Sequence, residues 1–308
     1  MIVFLSGGTG TPKLLQGFRK LLPENEICVI ANTADDYMVY GLYVSPDVDT
    51  LLYLFSDMLD TTKFWGVEND SFITLSLLKR YYDEVWFNLG DKDLALHIFR
   101  TDLLSKGYSL SEIISRISKK LSIKAKILPS TDNHIETRIV TPFGNLHFQE
   151  YWVKYGGKVK IEKVYVEGIE KAIVPKEVLE LLTAAEQIII GPSNPVTSIG
   201  PIILLKDIHA LLKRLKEKVT VVSPLIGNQA ISGPAVELMK VKKIEPNPIG
   251  ISKYYSNIAS NLIIDHADQK LKEIIKNETK MEVYTSNILF KSIDDSKKLA
   301  EFLLKLGD

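Results

Sequence analysis

The stretch Ser6-Gly7-Gly8-Thr9-Gly10-Thr11-Pro12-Lys13 decides how we interpret this chain. The four residues before it, Ile2-Val3-Phe4-Leu5, form a short apolar run that is typical of a buried strand. In residues 14–22, after it, apolar side chains recur at helical spacing. The sequence therefore predicts a strand, a glycine-rich turn and a helix in succession.

A turn of this kind is suited to binding phosphate, because free backbone N–H groups point outward at the start of a helix. Glycine lets the backbone approach an anion closely, the threonines add hydroxyl groups and the lysine adds a positive charge. The spacing fits neither G-x-G-x-x-G nor G-x-x-x-x-G-K-[ST], so an ordinary tight turn stays open as the alternative. The candidate nucleotide-binding residues here are Gly7, Gly8, Thr9, Gly10, Thr11 and Lys13.

Composition narrows the class of protein. The chain has 308 residues, enough for one large domain, with 38 basic and 38 acidic side chains. Balanced charge argues against a nucleic-acid partner held mainly through phosphates. The single cysteine, Cys28, lies in an apolar run, and neither a signal peptide nor a membrane-length apolar segment is evident. We therefore expect a cytoplasmic protein with no membrane partner.

Further strands end in loops that resemble the first one in composition. The apolar run 187–190 leads into a loop of small polar residues at 191–201, and the run 219–222 leads into a similar loop at 223–228. In open α/β sheets, ligands bind beyond the carboxyl ends of the strands, where the strand order reverses. We predict a Rossmann-like, doubly wound α/β fold with a mainly parallel sheet, in a single domain. It carries a helical insertion at about 45–121 and a β-rich insertion with a hairpin at about 124–166. The second strand of the hairpin is predicted over 146–152, and a helix is predicted over 202–216.

Acidic residues cluster after the second predicted strand. Asp35 or Asp36 is placed to accept a hydrogen bond from a ribose hydroxyl, although a solvated turn explains them equally well. Asp47 and Asp49 lie in the first turn of a predicted helix, where negative charge is stabilising. The alternative is that this pair holds a magnesium ion or orients a hydroxyl group. His97, inside a later helix, is more simply explained by packing.

Several of these segments together resemble one family, the 2-phospho-L-lactate transferase (CofD) family. The resemblance keeps chain order from residue 2 to about residue 235 and is loose beyond that point. It rests on the glycine-rich stretch with Leu14-Leu15, Asn32-Thr33-Ala34-Asp35-Asp36, Ser45-Pro46-Asp47-Val48-Asp49-Thr50, Trp65-Gly66-Val67-Glu68-Asn69-Asp70, Leu89-Gly90-Asp91-Lys92-Asp93, Gly191-Pro192-Ser193-Asn194-Pro195, Thr197-Ser198-Ile199-Gly200-Pro201 and Ser223-Pro224-Leu225-Ile226-Gly227-Asn228.

The resemblance implies an enzyme of coenzyme F-420 biosynthesis. Such an enzyme transfers a 2-phospho-L-lactate group, or its enolpyruvyl counterpart, from a GDP-activated donor to the ribityl hydroxyl of the deazaflavin Fo. GMP is released, magnesium is required, and members are commonly homodimers. By resemblance, Asp49 and Lys92 match positions associated with Fo, and we place Trp65 beside them. We assign Asp35 and the 191–200 loop to the guanosine nucleotide, with Ser193, Asn194, Ser198 and Gly200 as its residues.

The chemistry of such a transfer agrees with these residue types. Attack of a hydroxyl on a diphosphate needs charge neutralisation and alignment more than a covalent intermediate. We expect Asp49 to orient the hydroxyl or accept its proton, and Asp47 with Asp49 to be the candidate magnesium ligands.

Two other functions compete with this one. A non-catalytic nucleotide-sugar-binding regulator of the gluconeogenesis factor type shares the glycine loop, but the Pro12-Lys13 continuation and the Asp47 and Asp49 pair favour the transferase. A nicotinamide-dependent oxidoreductase is weakened by the incomplete G-x-G-x-x-G pattern. Binding of Fo and binding of NAD(H) or NADP(H) separate the three.

Overall fold

The computed structural model describes residues 1–307, in which fourteen strands and twelve α-helices are defined. The strands are β1 (Ile2–Ser6), β2 (Ile27–Ala31), β3 (Tyr37–Val39), β4 (Leu42–Val44), β5 (Lys126–Pro129), β6 (Glu136–Thr141), β7 (Gly144–His147), β8 (Lys163–Glu167), β9 (Gln187–Ile190), β10 (Val219–Val222), β11 (Leu225–Ile226), β12 (Gln229–Ala230), β13 (Asn261–Asp265) and β14 (Glu282–Ser286). The α-helices are α1 (Gly10–Phe18), α2 (Pro46–Phe55), α3 (Ile73–Leu78), α4 (Asp91–Ser105), α5 (Leu110–Lys120), α6 (Lys176–Ala184), α7 (Gly200–Leu204), α8 (Lys206–Arg214), α9 (Ala235–Val241), α10 (Pro248–Tyr255), α11 (Lys272–Thr279) and α12 (Ile293–Gly307). Short 3-10 helices span Glu24–Glu26, Ile169–Lys171, Lys216–Lys218 and His266–Leu271, and a π-helix spans Glu150–Lys154.

A seven-stranded parallel sheet forms the centre, in the order β14-β13-β10-β9-β1-β2-β5. The chain moves outward from β1 through β2 to β5 and then returns to the other side of β1 with β9. The strand order therefore reverses between β1 and β9, where Ile2 pairs with Gln187. This arrangement confirms the predicted doubly wound α/β fold, and it places the loops after β1 and β9 next to each other.

Both faces of the sheet are covered, as the continuous apolar strands require. On one face, Phe4 of β1 packs with side chains of α1, α2, α5 and α12. On the other face, Val3 and Leu5 pack with α6, α8, α10 and α11. Burial of each such side chain contributes roughly 1.5–3 kcal/mol relative to exposure. The result is a rigid layer whose carboxyl edge carries the loops.

The two stretches predicted as insertions lie between β2 and β9. Helices α2 to α5 fall within the predicted helical stretch, and they follow a hairpin of β3 and β4 that the sequence did not predict. Strands β6, β7 and β8 form a separate antiparallel sheet. Leu51 of the helical stretch belongs to the core on the Phe4 face of the main sheet. Ile139 of the β-rich stretch belongs to the core on the opposite face. Side chains of both stretches therefore contribute to the packing of the main sheet.

Three details differ from the predicted elements. The segment expected to begin the β-rich insertion supplies β5, the edge strand of the main sheet, because its backbone pairs with β2. The strand predicted over 146–152 ends at His147, whose N–H donates to Glu150 Oε2 at 2.8 Å, and a π-helix follows. The helix predicted over 202–216 is interrupted at Leu205, which has extended backbone. Within residues 1–307, no helix has the length and apolar character needed to cross a bilayer.

Candidate functional site

The loops after β1 and β9 are in direct contact. A Cβ atom at Gly10 would lie 2.0 Å from the carbonyl oxygen of Pro192, and one at Gly7 would lie 2.6 Å from that of Ser198. Thr11 N–H donates to Ser193 Oγ at 3.0 Å, and the two hydroxyl oxygens are 2.9 Å apart. Glycine is therefore needed at these positions so that the two loop backbones can approach each other, in addition to any close approach of a ligand. The structure brings these predicted nucleotide-binding loops together at the switch point.

Two of the loop's amides already have partners. Gly8, at φ +60°, donates its N–H to Asp47 Oδ1 at 2.7 Å, and Thr11 N–H donates to Ser193 as described. The other oxygen of Asp47 accepts from Asn32 Nδ2 at 2.8 Å. A side-chain carboxylate therefore occupies one position that the sequence predicts for phosphate. A bound phosphate has to use neighbouring groups of the loop or displace Asp47.

Hydrogen bonds within the rest of the 191–200 loop stabilise its turns. Asn194 Oδ1 accepts from the N–H of Val196 at 2.9 Å, and the Asn194 carbonyl accepts from the N–H of Ser198 at 3.1 Å. Gly200 begins α7, and a Cβ there would lie 2.8 Å from the carbonyl oxygen of Pro195. These predicted residues shape the loop. Thr9 likewise precedes α1, and its carbonyl accepts from the N–H of Lys13 at 3.4 Å.

Lys13 borders two small cavities beside the glycine loop, of about 180 and 70 Å³. Phe290 borders both of them as well, and Phe64 borders the larger. The Lys13 ammonium lies 5.1 Å from the centre of the Phe64 ring. We call this space the Lys13 groove. It combines a positive charge with aromatic surface next to the carboxyl ends of β1 and β9.

Three buried carboxylates lie in the segment that follows β2. Burial, reinforced by the nearby charge of Asp47, raises the pKa of Asp35 well above its ordinary value. Burial also raises the pKa of Asp47 to about 6, although hydrogen bonds from Asn32 and Gly8 oppose the shift. Asp36 has a pKa raised by burial too, and it accepts hydrogen bonds from Ser45 and Tyr43. Asp35 Oδ1 is buried and has no hydrogen-bond partner within residues 1–307.

A third cavity, of about 260 Å³, is lined in part by the first turn of α2. Aromatic rings form much of its wall and polar side chains converge on it. We call it the aromatic cavity. Its lining residues are Val44, Pro46, Asp49, Thr50, Tyr53, Trp65, Gly66, Phe87, Asn88, Asp93, His97, Gln149, Trp152 and Val153.

Asp49 reaches this cavity as one half of a buried ion pair. The guanidinium group of Arg100, which is completely buried, contacts both carboxylate oxygens of Asp49. Burial works against the charge of Arg100, but Asp49 outweighs it and raises the pKa of the guanidinium group. His97 lies next to this pair, with Nδ1 3.7 Å from Asp49 Oδ2. The residue predicted to act on the acceptor hydroxyl is therefore neutralised by a neighbour.

The structure separates the other two residues predicted for Fo. Trp65 lines the aromatic cavity and is 46% exposed. Lys92 is exposed and is not among the lining residues; its Nζ donates to the carbonyl oxygen of Glu68 at 3.0 Å. Phe64 borders the Lys13 groove, so the turn at residues 64–66 lies between the two spaces.

The predicted magnesium ligands face different neighbours. Asp47 binds Gly8 and Asn32, whereas Asp49 binds Arg100, because residues two apart in a helix point in different directions. Within residues 1–307, no group of three or more His, Cys, Asp or Glu side chains is arranged to hold a metal ion. Asp35 has one buried oxygen without a hydrogen-bond partner in the described residues, whereas both oxygens of Asp47 accept hydrogen bonds.

Sequence reasoning attributed His97 to packing and assigned no functional role to Asp93 or Arg100, although all three reach the aromatic cavity or its ion pair. Their spacing of four and then three residues could have identified them as a group, because it places all three on one face of α4. Gln149 and Trp152 complete the cavity from the segment around the π-helix. No local pattern identifies those two, because their contribution depends on how the insertion packs.

Comparison with known proteins agrees with this arrangement. The family described as "2-phospho-L-lactate transferase CofD" matches residues 2–286. A protein of Methanosarcina mazei named 2-phospho-L-lactate transferase is 42% identical over 305 residues, which cover 99% of both chains. One of the same name from Methanocaldococcus jannaschii is 42% identical, covering 99% of this chain and 97% of the relative.

A solved structure of a UPF0052 family member from Bacillus halodurans shares the fold, with a TM-score of 0.65 and 18% identity over 98% of both chains. The sequence matches extend over nearly the whole length of this chain and include both candidate cavities. The protein belongs to the 2-phospho-L-lactate transferase (CofD) family.

Proposed function

We propose that this protein transfers a 2-phospho-L-lactate group, or its enolpyruvyl counterpart, from a GDP-activated donor to the ribityl hydroxyl of Fo. The observation that supports it best is the position of two unlike spaces on either side of one turn. The Lys13 groove lies beside the glycine loop, and the aromatic cavity lies beyond Phe64 and Trp65. A charged donor and a flat aromatic acceptor need such neighbouring sites.

Each space matches the chemistry of its proposed ligand. The Lys13 ammonium and the start of α1 attract a diphosphate, and the Phe64 and Phe290 rings offer surface for a purine base. In the aromatic cavity, Trp65, Phe87 and Trp152 offer surface for a planar deazaflavin. Because phosphoryl transfer depends on alignment and charge neutralisation, holding both substrates side by side supplies much of the catalysis.

Magnesium is part of the proposal, with Asp35 and Asp47 as the residues that would hold it. Magnesium is commonly bound through one or two carboxylates together with substrate phosphates, and this pair lies beside the glycine loop. A bound magnesium ion would neutralise charge on the diphosphate. The residues of the chain would do the remaining work: the loop amides and Lys13 orient the donor, and the aromatic walls orient the acceptor.

The direct test is to incubate the protein with lactyl-2-diphospho-5'-guanosine, Fo and magnesium chloride, and to follow GMP and the phospholactyl product by chromatography. We expect equal amounts of the two products and loss of both when EDTA is added. Substitution of phosphoenolpyruvyl diphosphoguanosine identifies the preferred three-carbon acid. Fo fluorescence measures acceptor binding separately. A protein that binds neither Fo nor donor contradicts the proposal and favours the regulator.

We also propose that the protein works as a homodimer in the cytoplasm. Ile73, Leu77 and Tyr81 are exposed apolar side chains spaced four residues apart, which supports an interface between subunits. Cys28, the single cysteine of the sequence, is buried and forms no disulfide, which is compatible with a reducing compartment. Light scattering on the purified protein should give a mass near twice 34.7 kDa.

A further inference from the structure

Two carboxylates line the aromatic cavity, and they differ in how many of their oxygens are occupied. Both oxygens of Asp49 contact Arg100, and Oδ2 also accepts from the N–H of Ser45 at 3.2 Å. Both oxygens of Asp49 are thus already engaged by donors of the protein. Asp49 is therefore poorly suited to take a proton from a hydroxyl group.

Asp93 has the complementary arrangement. Tyr53 donates its hydroxyl hydrogen to Asp93 Oδ1, and His97 Nε2 lies 3.1 Å from the same oxygen. Asp93 Oδ2 has no hydrogen-bond partner in residues 1–307, and the side chain keeps 13% exposure at the cavity. The backbone is fixed as well, because Asp93 N–H donates to Asp70 Oδ2 at 3.1 Å. One oxygen is anchored and the other is available.

The neighbours of Asp93 keep it oriented. Burial, together with the charges of Asp49 and Asp93, raises the pKa of Tyr53 well above its ordinary value. The phenol consequently retains its hydrogen and continues to donate it. Asp93 and His97 also lie four residues apart on α4, so the helix itself holds them side by side.

We propose that Asp93 accepts the proton of the acceptor hydroxyl, and that Tyr53 and His97 are positioning residues for its carboxylate. This rests on the proposed function and assigns the proton to Asp93 in place of the sequence-predicted Asp49. The hydroxyl O–H bond breaks, and its proton passes to Asp93 Oδ2. The hydroxyl oxygen bonds to the phosphorus that carries the three-carbon acid. The bond from that phosphorus to the GMP phosphate oxygen breaks, and its electron pair leaves with GMP.

The test compares Asp93→Asn with the wild-type protein and with Asp102→Asn. Asp102 is a carboxylate of the same helix that is paired with Lys106 at the surface, outside the cavity. Fo affinity is measured by fluorescence, and the rate of GMP formation is measured in single turnover with saturating Fo and donor. Because a general base contributes typically 10²–10⁴-fold, we expect Asp93→Asn to lose at least about a hundredfold in rate. We expect its Fo affinity to change less than about threefold, and Asp102→Asn to match the wild type in both measurements.

Tyr53→Phe gives a second, independent measurement, and it keeps the proposal testable if Asp93→Asn does not fold. Removing the hydroxyl should slow single turnover while leaving Fo affinity unchanged, since only the carboxylate loses its anchor. Near-wild-type turnover by Asp93→Asn, or a loss of Fo affinity as large as its loss of rate, overturns the assignment. If Asp93→Asn does not fold, wild-type turnover by Tyr53→Phe overturns it. If the wild-type protein itself forms no GMP, the proposed function fails instead.

Discussion

Arg100 holds both carboxylate oxygens of Asp49 inside the core, with the guanidinium group completely buried and the carboxylate side chain 5% exposed. The pair joins α4 to the first turn of α2, and Asp49 also lines the aromatic cavity. It connects the stability of the helical stretch to the geometry of the site.

Removing one partner of this pair should be costly. Arg100→Met leaves Asp49 buried without its counter-charge, and we expect a loss of about 3–5 kcal/mol in the free energy of unfolding. Urea denaturation followed by circular dichroism measures it. Lys106→Met, which breaks an exposed pair on the same helix, should cost less than about 1 kcal/mol. Equal losses in the two variants would show that the buried pair contributes no more to the free energy of unfolding than the exposed pair.

Asp35→Asn should make the protein more stable at neutral pH. The pKa of Asp35 is raised above 3.8 in the folded protein, so the folded state holds a proton that the unfolded state has released. Stability consequently falls as the pH rises above about 4, and the amide removes this cost. We expect a gain in the free energy of unfolding at pH 7 that disappears below pH 4. Denaturation at several pH values checks it.

Asp60→Asn is the control of opposite sign. Hydrogen bonds from Thr62 and Lys63 lower the pKa of Asp60 below its ordinary value, so the charged form stabilises the folded state above pH 4. The amide should therefore reduce stability at pH 7 and have little effect in acid. The interpretation of Asp35 is contradicted if both variants change stability in the same direction at pH 7.

Gly10→Ala should disturb the contact between the loops after β1 and β9. The added methyl group would lie 2.0 Å from the Pro192 carbonyl oxygen, so one loop has to move. We expect weaker binding of GDP, by about tenfold or more, and a lower melting temperature. Calorimetry with GDP measures the first. Gly41→Ala, where no atom lies within 4 Å of the new methyl group, introduces only backbone strain and should bind GDP normally.

Trp65→Ala should weaken Fo binding with little loss of stability. The indole lines the aromatic cavity but is 46% exposed, so few core contacts are lost. Loss of one aromatic stacking contact, worth about 0.5–1.5 kcal/mol, corresponds to a roughly 2–13-fold weaker affinity by fluorescence titration. Lys92→Ala tests the family-based expectation alongside it. If Trp65→Ala leaves the Fo affinity unchanged, Trp65 does not contact Fo in the acceptor site.

The sequence determined the order of the elements, the central strands and the loops that carry the site. Those features come from short-range causes: apolar runs favour buried strands, and glycine, serine and proline favour tight turns. The resemblance in the loops was also sufficient to identify the family. The predicted strand assignments were wrong at β5 and at the end of β7. Pairing with a neighbouring strand determines where a strand lies and ends, and the local sequence does not show that pairing.

Only the tertiary structure decided which charged groups are available for chemistry. The sequence places Asp47 and Asp49 side by side, yet the fold gives one to the Gly8 amide and the other to Arg100, and it leaves an oxygen of Asp93 free. Partners that lie 39 and 51 residues apart cannot be assigned from local pattern. The physical reason is that burial makes a carboxylate depend on its nearest donor, and packing alone determines which donor that is.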